Sequence, residues 1–442
     1  MKNLLKFAVI VIIAIVSSII TFDRMPQVIV IIAFATTGIY CICRKTQKNI
    51  RKILLSLFLV TFFLQIAISM SLYAKTVDTK YYGFSCKGDD YVYGDFGTNA
   101  AKLWREGKFK SLKELEYYNL IGEASNLQEF QLYNSVIFYL FGACGGQILL
   151  IINCFLHAAI VIPVYFICRG FGISRKIITV CLVLFLFWPS TFYWSLFNFK
   201  EPMILFLIFT ILAILVKLKD RFSLLNVIAL FVLITGLYFL RRYIAVLFPI
   251  SMLYLFCLWK WRYKTHLLCL SSISLCIKQF FGNPLFSGLH LILQRMPQTL
   301  FGIRYSSRYS ATGYFNKLLT FSCARTILYF PLGVLAALFL PFLLRPETTS
   351  QIIANVESIV WWCILPFLIN GIWIAIKEDF VKALPMLALL LLWISTLALS
   401  QGNMGTLLRQ KSIVYCTSFI FVSIAFDRIT KTIYPATENA SS

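Results

Sequence analysis

Long apolar runs, separated by short polar connectors, set the pattern of this chain. A run of about 18 or more apolar residues is long enough to cross a hydrocarbon core of roughly 30 Å. Such runs fall at residues 4–22, 27–43, 52–73, 146–168, 176–196, 201–217, 222–240, 243–259, 326–344, 356–376, 382–400 and 411–426. One or two weaker segments between residues 264 and 302 bring the expectation to about 12–14 spans. Helices in a water-soluble domain need a polar face, and these runs have none. The predicted fold class is an all-α polytopic membrane protein, a single transmembrane domain over residues 1–442. The first run follows Lys2 and Lys6 and lacks a small-residue cleavage site, so it is expected to remain as a span.

The connectors predict orientation, because short cytoplasmic loops carry an excess of Lys and Arg. "RKTQKNIRK" (residues 44–52) is the most basic connector and is expected inside. "RGFGISRK" (169–176) and "KLKDR" (217–221) then also fall inside, with "FNFKEP" (197–202) outside. The segment 73–147 becomes a large external loop between the third and fourth spans. From Arg221 to Pro346 there is no Asp or Glu, and the number of crossings in 264–302 decides the side of everything after it. An even number puts "KEDFVK" (377–382) and "DRITK" (427–431) inside, and "SQGNMGTLLRQK" (400–411) outside.

Composition agrees with this picture: 60% of residues are hydrophobic and only 13% charged, against about 25% charged in soluble domains. The net charge of +23 lies mostly in the connectors, which is the membrane-topology pattern and argues against nucleic-acid binding. The 13 cysteines are mostly embedded in apolar runs, with no regular spacing and no CxxC pair, so no disulfide framework is expected. Three histidines, at 157, 266 and 290, are too dispersed for a zinc site. No cofactor is expected, and one acidic pair is thin support for a divalent metal.

Nine of the 18 acidic residues fall between Asp78 and Glu129, in the predicted external loop. "EGKFKSLKELEYYN" suggests two short amphipathic helices along the membrane surface, and most of these acids have Lys or Arg neighbours with which to form surface pairs. "KGDDYVYGDFGTNAAKLW" (87–104) stands apart. Asp89, Tyr93 and Gly97 recur at steps of four and share a helical face. Asp89 and Asp90 open that helix, where the macrodipole and free N–H groups stabilise a carboxylate. A second role is open to one of them, as a general base toward a hydroxyl nucleophile. Asp95 sits at a solvated position within the helix.

An Asp-acid pair in the first large external loop, followed at helical spacing by Tyr and small residues, resembles the membrane glycosyltransferases of the GT-C superfamily. That group includes the protein O-mannosyltransferases and the aminoarabinose transferase of lipid A. Their usual pattern is Asp-Glu-x-x-Tyr, and "DDYVY" departs from it at the second acid. The likeness continues through the Gly turn, the span with Asn153 and the "RGFG" connector, then at "WPSTFYWSLFNFKEP", and at "QGNMGTLLRQK" near the end. The resemblance implies inverting transfer of a sugar from a polyprenyl-phosphate-linked donor to a hydroxyl of a glycan, lipid or protein. Asp89 would be the base and Asp90 a helper or cap. The location implied is a bacterial inner membrane, with the site on its external face.

A lipid-phosphate donor also needs positive groups at headgroup depth, and arginine suits phosphate because its fork donates two hydrogen bonds. Arg241 and Arg242 follow the seventh run and suit either lipid-headgroup anchoring or donor phosphate. Lys200 and Glu201 open the sixth run beside Pro202, either as helix capping or to meet phosphate and sugar hydroxyls. Asn403 and Arg409 lie at a glycine-framed loop, "GNMG", which permits close backbone approach to a ligand. No GxGxxG nucleotide loop is present, in keeping with a lipid-linked donor. Two alternatives stand beside the transferase: a polymerase of lipid-linked oligosaccharide repeat units, and a transporter or flippase.

Overall fold

The apolar runs fold as helices in the computed structural model, which describes residues 25–76, 89–108, 128–241, 330–340, 349–400 and 404–433. Among the described residues, six helices are long and apolar enough to cross a membrane, or seven if one bent pair counts as a single span. The runs expected at 4–22 and 243–259, and the segment 264–302, lie outside the described residues. The chain divides into two compact units, Met1–Ile214 with Ser223–Ala245, and Leu215–Phe222 with Val246–Ser442.

In the first unit, α1 (Met25–Lys45) and α2 (Lys48–Thr76) precede two helices from the acidic loop, α3 (Asp89–Arg105) and α4 (Gln128–Phe141). A short 3₁₀ turn (Gly142–Cys144) leads into α5 (Gly145–Ala159) and α6 (Val161–Gly170). Aromatic packing joins α1, α2 and α5: the Phe34 and Phe155 rings stack at 4.4 Å, and Phe155 meets Phe58 and Phe62 edge-on. α7 (Arg175–Phe187) and α8 (Pro189–Ser195) form the bent pair, with an angle of 51° between them. The bend has a local cause. Pro189 excludes helical backbone at the residue before it, and Trp188 is extended at ψ 124°. α9 (Glu201–Asp220) starts after a short turn and ends in the second unit, and α10 (Leu224–Leu240) returns to the first.

The second unit contains α11 (Phe330–Phe339), α12 (Thr349–Ser400) and α13 (Met404–Ile433). At 52 residues, α12 is too long for one crossing, and its backbone leaves helical geometry at Asp379 (φ −159°, ψ 80°). The Asp379 carboxylate accepts a hydrogen bond from the Lys382 N–H at 3.1 Å, an N-cap that starts a new helix. The two limbs match the runs expected at 356–376 and 382–400.

Glycines let these helices approach closely. A Cβ on Gly371 would fall 1.9 Å from the Phe421 carbonyl oxygen, and one on Gly333 would fall 2.4 Å from that of Ala398. The Trp361 and Tyr415 rings meet at 4.9 Å, and Trp393 donates to the Gln410 carbonyl at 3.0 Å.

Three connectors expected on one side of the membrane meet in a charge network. Lys219 pairs with Asp379, and Lys382 pairs with Asp220 at 3.2 Å. Arg428 grips Glu378 with two hydrogen bonds of 2.6 and 2.7 Å. Asp427, fully buried, takes Arg428 at 2.6 Å and Lys431 at 2.8 Å. "KLKDR", "KEDFVK" and "DRITK" therefore share a side.

Candidate functional site

The site grows from the docking of α3 on α4. The buried residues of α3 are Asp90, Tyr93, Gly94, Phe96, Gly97, Ala100 and Ala101, a stripe at helical spacing in which small residues predominate. Small side chains there bring the backbones together. A Cβ on Gly97 would lie 2.9 Å from the Asn134 Cβ and 3.0 Å from the Phe138 ring. At the far end of α3, Arg105 donates to the carbonyls of Phe138 and Tyr139 at 2.9 and 2.8 Å, closing the C-terminus of α4. Gly142, at φ +59°, then turns the chain into α5.

This docking separates the paired aspartates. Asp89 is exposed, whereas Asp90 has 0% exposure. Counting back from Tyr93 by 3.6 residues falls between the two, and α4 packs on the side of Asp90. The face drawn through Asp89, Tyr93 and Gly97 is therefore rotated in the structure, and it is the second acid that enters the interior. Asp95 is half-buried rather than fully solvated, and that burial raises its carboxyl above the ordinary range, with Asn99 partly opposing the shift.

A second element, the turn joining α8 to α9, reaches the same place. Its backbone carbonyls are held by side chains from two other helices. Asn153 on α5 donates to the carbonyls of Phe197 and Phe199 at 2.8 and 2.9 Å, and Ser69 on α2 donates to that of Leu196 at 2.7 Å. Below the turn, Gln65 donates to Ser195 at 2.5 Å and contacts the ring nitrogen of His157 at 2.8 Å. Buried polar groups of this kind lock an irregular backbone in one geometry when they are satisfied.

Aromatic residues connect the two elements. Tyr93, Phe130 and Phe199 form one buried cluster, against which Tyr133, Trp194, Phe197 and Leu240 pack. Tyr93 meets Phe130 edge-on at 4.9 Å, and Trp194 meets Phe199 at 5.5 Å. Asp90 lies within electrostatic range of the Tyr193 phenol, on the residue preceding Trp194. Lys200, Glu201 and Arg241 directly follow Phe199 and Leu240, and all three are buried. Arg241 donates to Glu201 at 2.6 Å.

Of the residues singled out from the sequence, Tyr93 belongs to the aromatic cluster and Asp90 lies three residues before it on α3. Along the chain, Lys200, Glu201 and Arg241 adjoin Phe199, a member of the cluster, and Leu240, which packs on it. Asp89 is exposed. Arg409 belongs to the second unit, half-buried in α13, and Arg242 and Asn403 lie outside the described residues. Asn134, Tyr193 and Asn198 carry the geometry but had no sequence signal beyond being polar or aromatic residues in apolar surroundings. Among the described residues, no group of three or more His, Cys, Asp or Glu side chains is placed to hold a metal ion.

The second unit has its own buried charges. Lys411 has 0% exposure and donates to the carbonyls of Leu338 and Leu340 at 2.9 and 2.8 Å, at the C-terminal end of α11. A cation is favoured at a helix C-terminus. Its ammonium also lies 5.2 Å from the Tyr415 ring centroid, with Glu357 within electrostatic range.

The chain matches no family model, no curated protein and no solved structure. Function is therefore argued from the residues alone. Its class is a multi-pass helical membrane protein.

Proposed function

We propose that this protein is a membrane glycosyltransferase that moves a sugar from a polyprenyl-phosphate-linked donor to a hydroxyl acceptor, of GT-C type. The observation that carries this reading is an aromatic cluster that contains Tyr93, with Asp90, Lys200, Glu201 and Arg241 near its residues along the chain. These residues come from three separate stretches of the chain. Aromatic side chains with a few polar groups among them are the usual lining of a small-molecule site.

In this mechanism Asp90 accepts the proton of the acceptor hydroxyl as its oxygen attacks the anomeric carbon. The bond from that carbon to the phosphate oxygen breaks, the lipid phosphate leaves with the electron pair, and the configuration inverts. Lys200 is placed to meet the charge that develops on the leaving phosphate. Asp89, on the exposed side, stabilises the start of α3. The site faces the external side of what is read as a bacterial inner membrane.

The test is glycan profiling of cells lacking the protein and complemented with variants. Asp90→Asn is expected to leave the glycan defect in place, whereas Asp89→Asn restores the wild-type profile. An unaltered profile in cells lacking the protein would refute the transferase. Restoration by Asp90→Asn at normal protein level would refute the base assignment.

A second reading, a transporter or flippase, is favoured by Lys411 and Glu357, because buried ionisable residues within predicted spans commonly mark a transport path. Passage of fluorescent polyprenyl phosphate across a liposome bilayer, abolished by Lys411→Met, would support it over the transferase.

A further inference from the structure

The turn between α8 and α9, with the first residue of α9, contains two buried oxygen atoms that accept no hydrogen bond from the described residues. The first belongs to Asn198, whose side chain has 0% exposure. Its amide orientation is fixed by a chain of bonds. Asn134 donates through Nδ2 to the Phe130 carbonyl at 2.8 Å, which leaves its Oδ1 to accept from Asn198 Nδ2 at 2.6 Å. Asn198 Oδ1 is therefore an acceptor without a donor among the described residues. The second belongs to Glu201, 6% exposed: Oε1 accepts from Arg241, and Oε2 accepts from nothing among the described residues.

Both acceptors sit within four residues of one another, on backbone clamped by Asn153. Leaving a buried acceptor unsatisfied costs about 1–3 kcal/mol, more for a charged one. Such groups in a native fold indicate a missing donor. A third sealed atom, the Tyr133 phenol oxygen, also lacks a partner, and its ring packs on the Tyr93–Phe130–Phe199 cluster.

The missing donors have a definable chemistry. Arg241 already matches the Glu201 charge, so Oε2 needs a hydrogen-bond donor and not a second counter-charge. A neutral ligand with adjacent O–H donors and an apolar face fits: the hydroxyls bond the turn, and the C–H face packs on the aromatic rings.

We propose that Asn198 and Glu201 form a hydroxyl-recognising subsite for a sugar ring, with Arg241 as the positioning residue that aims Glu201. In this assignment Arg241 holds Glu201 through Nη2 at 2.6 Å. The inference rests on the transferase reading only for the lipid carrier of that sugar.

The experiment uses the full chain in detergent, monitored by saturation-transfer NMR and tryptophan fluorescence. Probes are the methyl glycosides of glucose, mannose, galactose and N-acetylglucosamine, together with bare polyprenyl phosphate. At least one glycoside is expected to bind saturably. Its affinity should fall about tenfold or more in Glu201→Gln, which keeps the side-chain shape, and in Asn198→Ala. Binding of bare polyprenyl phosphate should be unchanged in both. Monodispersity by size exclusion confirms folding, and Arg241→Lys, which keeps a cation beside Glu201, is expected to retain part of the glycoside affinity. Failure of every glycoside to bind, or equal binding by wild type and Glu201→Gln, overturns the subsite and assigns ordered water to these atoms. Glycoside binding without binding of polyprenyl phosphate leaves the subsite standing and removes the lipid-linked transferase.

Discussion

Replacing Gly97 with alanine separates helix propensity from helix docking, because the two predict opposite signs. In the interior of α3, alanine is better than glycine by about 1 kcal/mol. The structure sets a steric cost against this gain. The added methyl would stand 2.9 Å from the Asn134 Cβ, 3.0 Å from the Phe138 ring and 3.1 Å from the Asn134 carbonyl carbon. Carbon atoms pack at about 3.5–4.0 Å, so α3 must retreat from α4 by about 0.6–1 Å. Neither the Cβ nor the carbonyl carbon of Asn134 is the free end of a flexible side chain. Overpacking of this kind costs about 1–3 kcal/mol, leaving a net loss of about 0–2 kcal/mol after the propensity gain. In the proposed transferase the functional cost is larger, since Asp90 and Tyr93 would move with the helix and a misplacement of about 1 Å can cost 10²-fold in rate. Gly236 in α10 is the control, because a Cβ there meets nothing within 4 Å. Thermal unfolding in detergent, paired with glycan profiling, reads both effects. Gly97→Ala should lower the melting temperature and abolish the glycan product, whereas Gly236→Ala should do neither. Equal behaviour of the two variants would falsify the close docking of α3 on α4.

Further outcomes follow from the same geometry. Asn153→Leu removes both donors from the carbonyls of Phe197 and Phe199, and is expected to destabilise the protein by about 1–3 kcal/mol per stranded group; denaturant unfolding followed by tryptophan fluorescence checks this. Asp95→Asn tests a pH dependence. The folded-state pKa is raised, so the stability linked to the protonated group is complete below the ordinary Asp value of about 3.9 and is lost as pH rises through the folded value. The variant should therefore melt higher than wild type at neutral pH and no higher in acid, and a gain that persists in acid would contradict burial as the cause. Lys411→Met strands the carbonyls of Leu338 and Leu340 and should destabilise the second unit by about 2–5 kcal/mol, read by protease resistance in detergent. Cysteines introduced at Arg221, Lys377 and Lys431, with native thiols blocked, should all react with a membrane-impermeant reagent from the same side, since the charge network joins their connectors. Reaction from opposite sides would break that assignment.

The parts of this architecture legible in the sequence are those set by solvent preference. Uninterrupted apolarity located α1, α2, α9 and both limbs of α12, because a lipid-exposed helix needs no periodic pattern to be recognised. The three segments that connector charge grouped together pair with one another around Asp379 and Arg428. Sequence spacing also identified the stretch that becomes α3 and its tyrosine. The resemblance pointed to Asp89 as the base, but one residue turns a side chain by about 100° and only the position of α4 decides which aspartate is covered. Asn134 and Asn198 were invisible for a similar reason. An asparagine in an apolar run has no partner until two distant elements meet, and the pairing spans 64 residues. Lys411 read as the end of a polar loop because its neighbours Arg409 and Gln410 are polar. Its burial follows from the helix end that it caps.

The break at Asp379 bears on how the chain enters the membrane during synthesis. A continuous hydrophobic helix of the length of α12 would present an inserting machinery with several equivalent windows of about 20 residues, and its register across the bilayer would be undefined. The cluster Lys377-Glu378-Asp379 divides that stretch at one point, and the cap on Lys382 begins the second limb there. The emerging chain is thereby marked as a hairpin before α13 is made. Arg428 and Lys219 can then engage the marked point from either side in sequence. A neutral replacement of this cluster acts first on the topology of the newly made protein, in the fraction of chains inserted with the wrong number of crossings, and only afterwards on the stability of those that insert correctly.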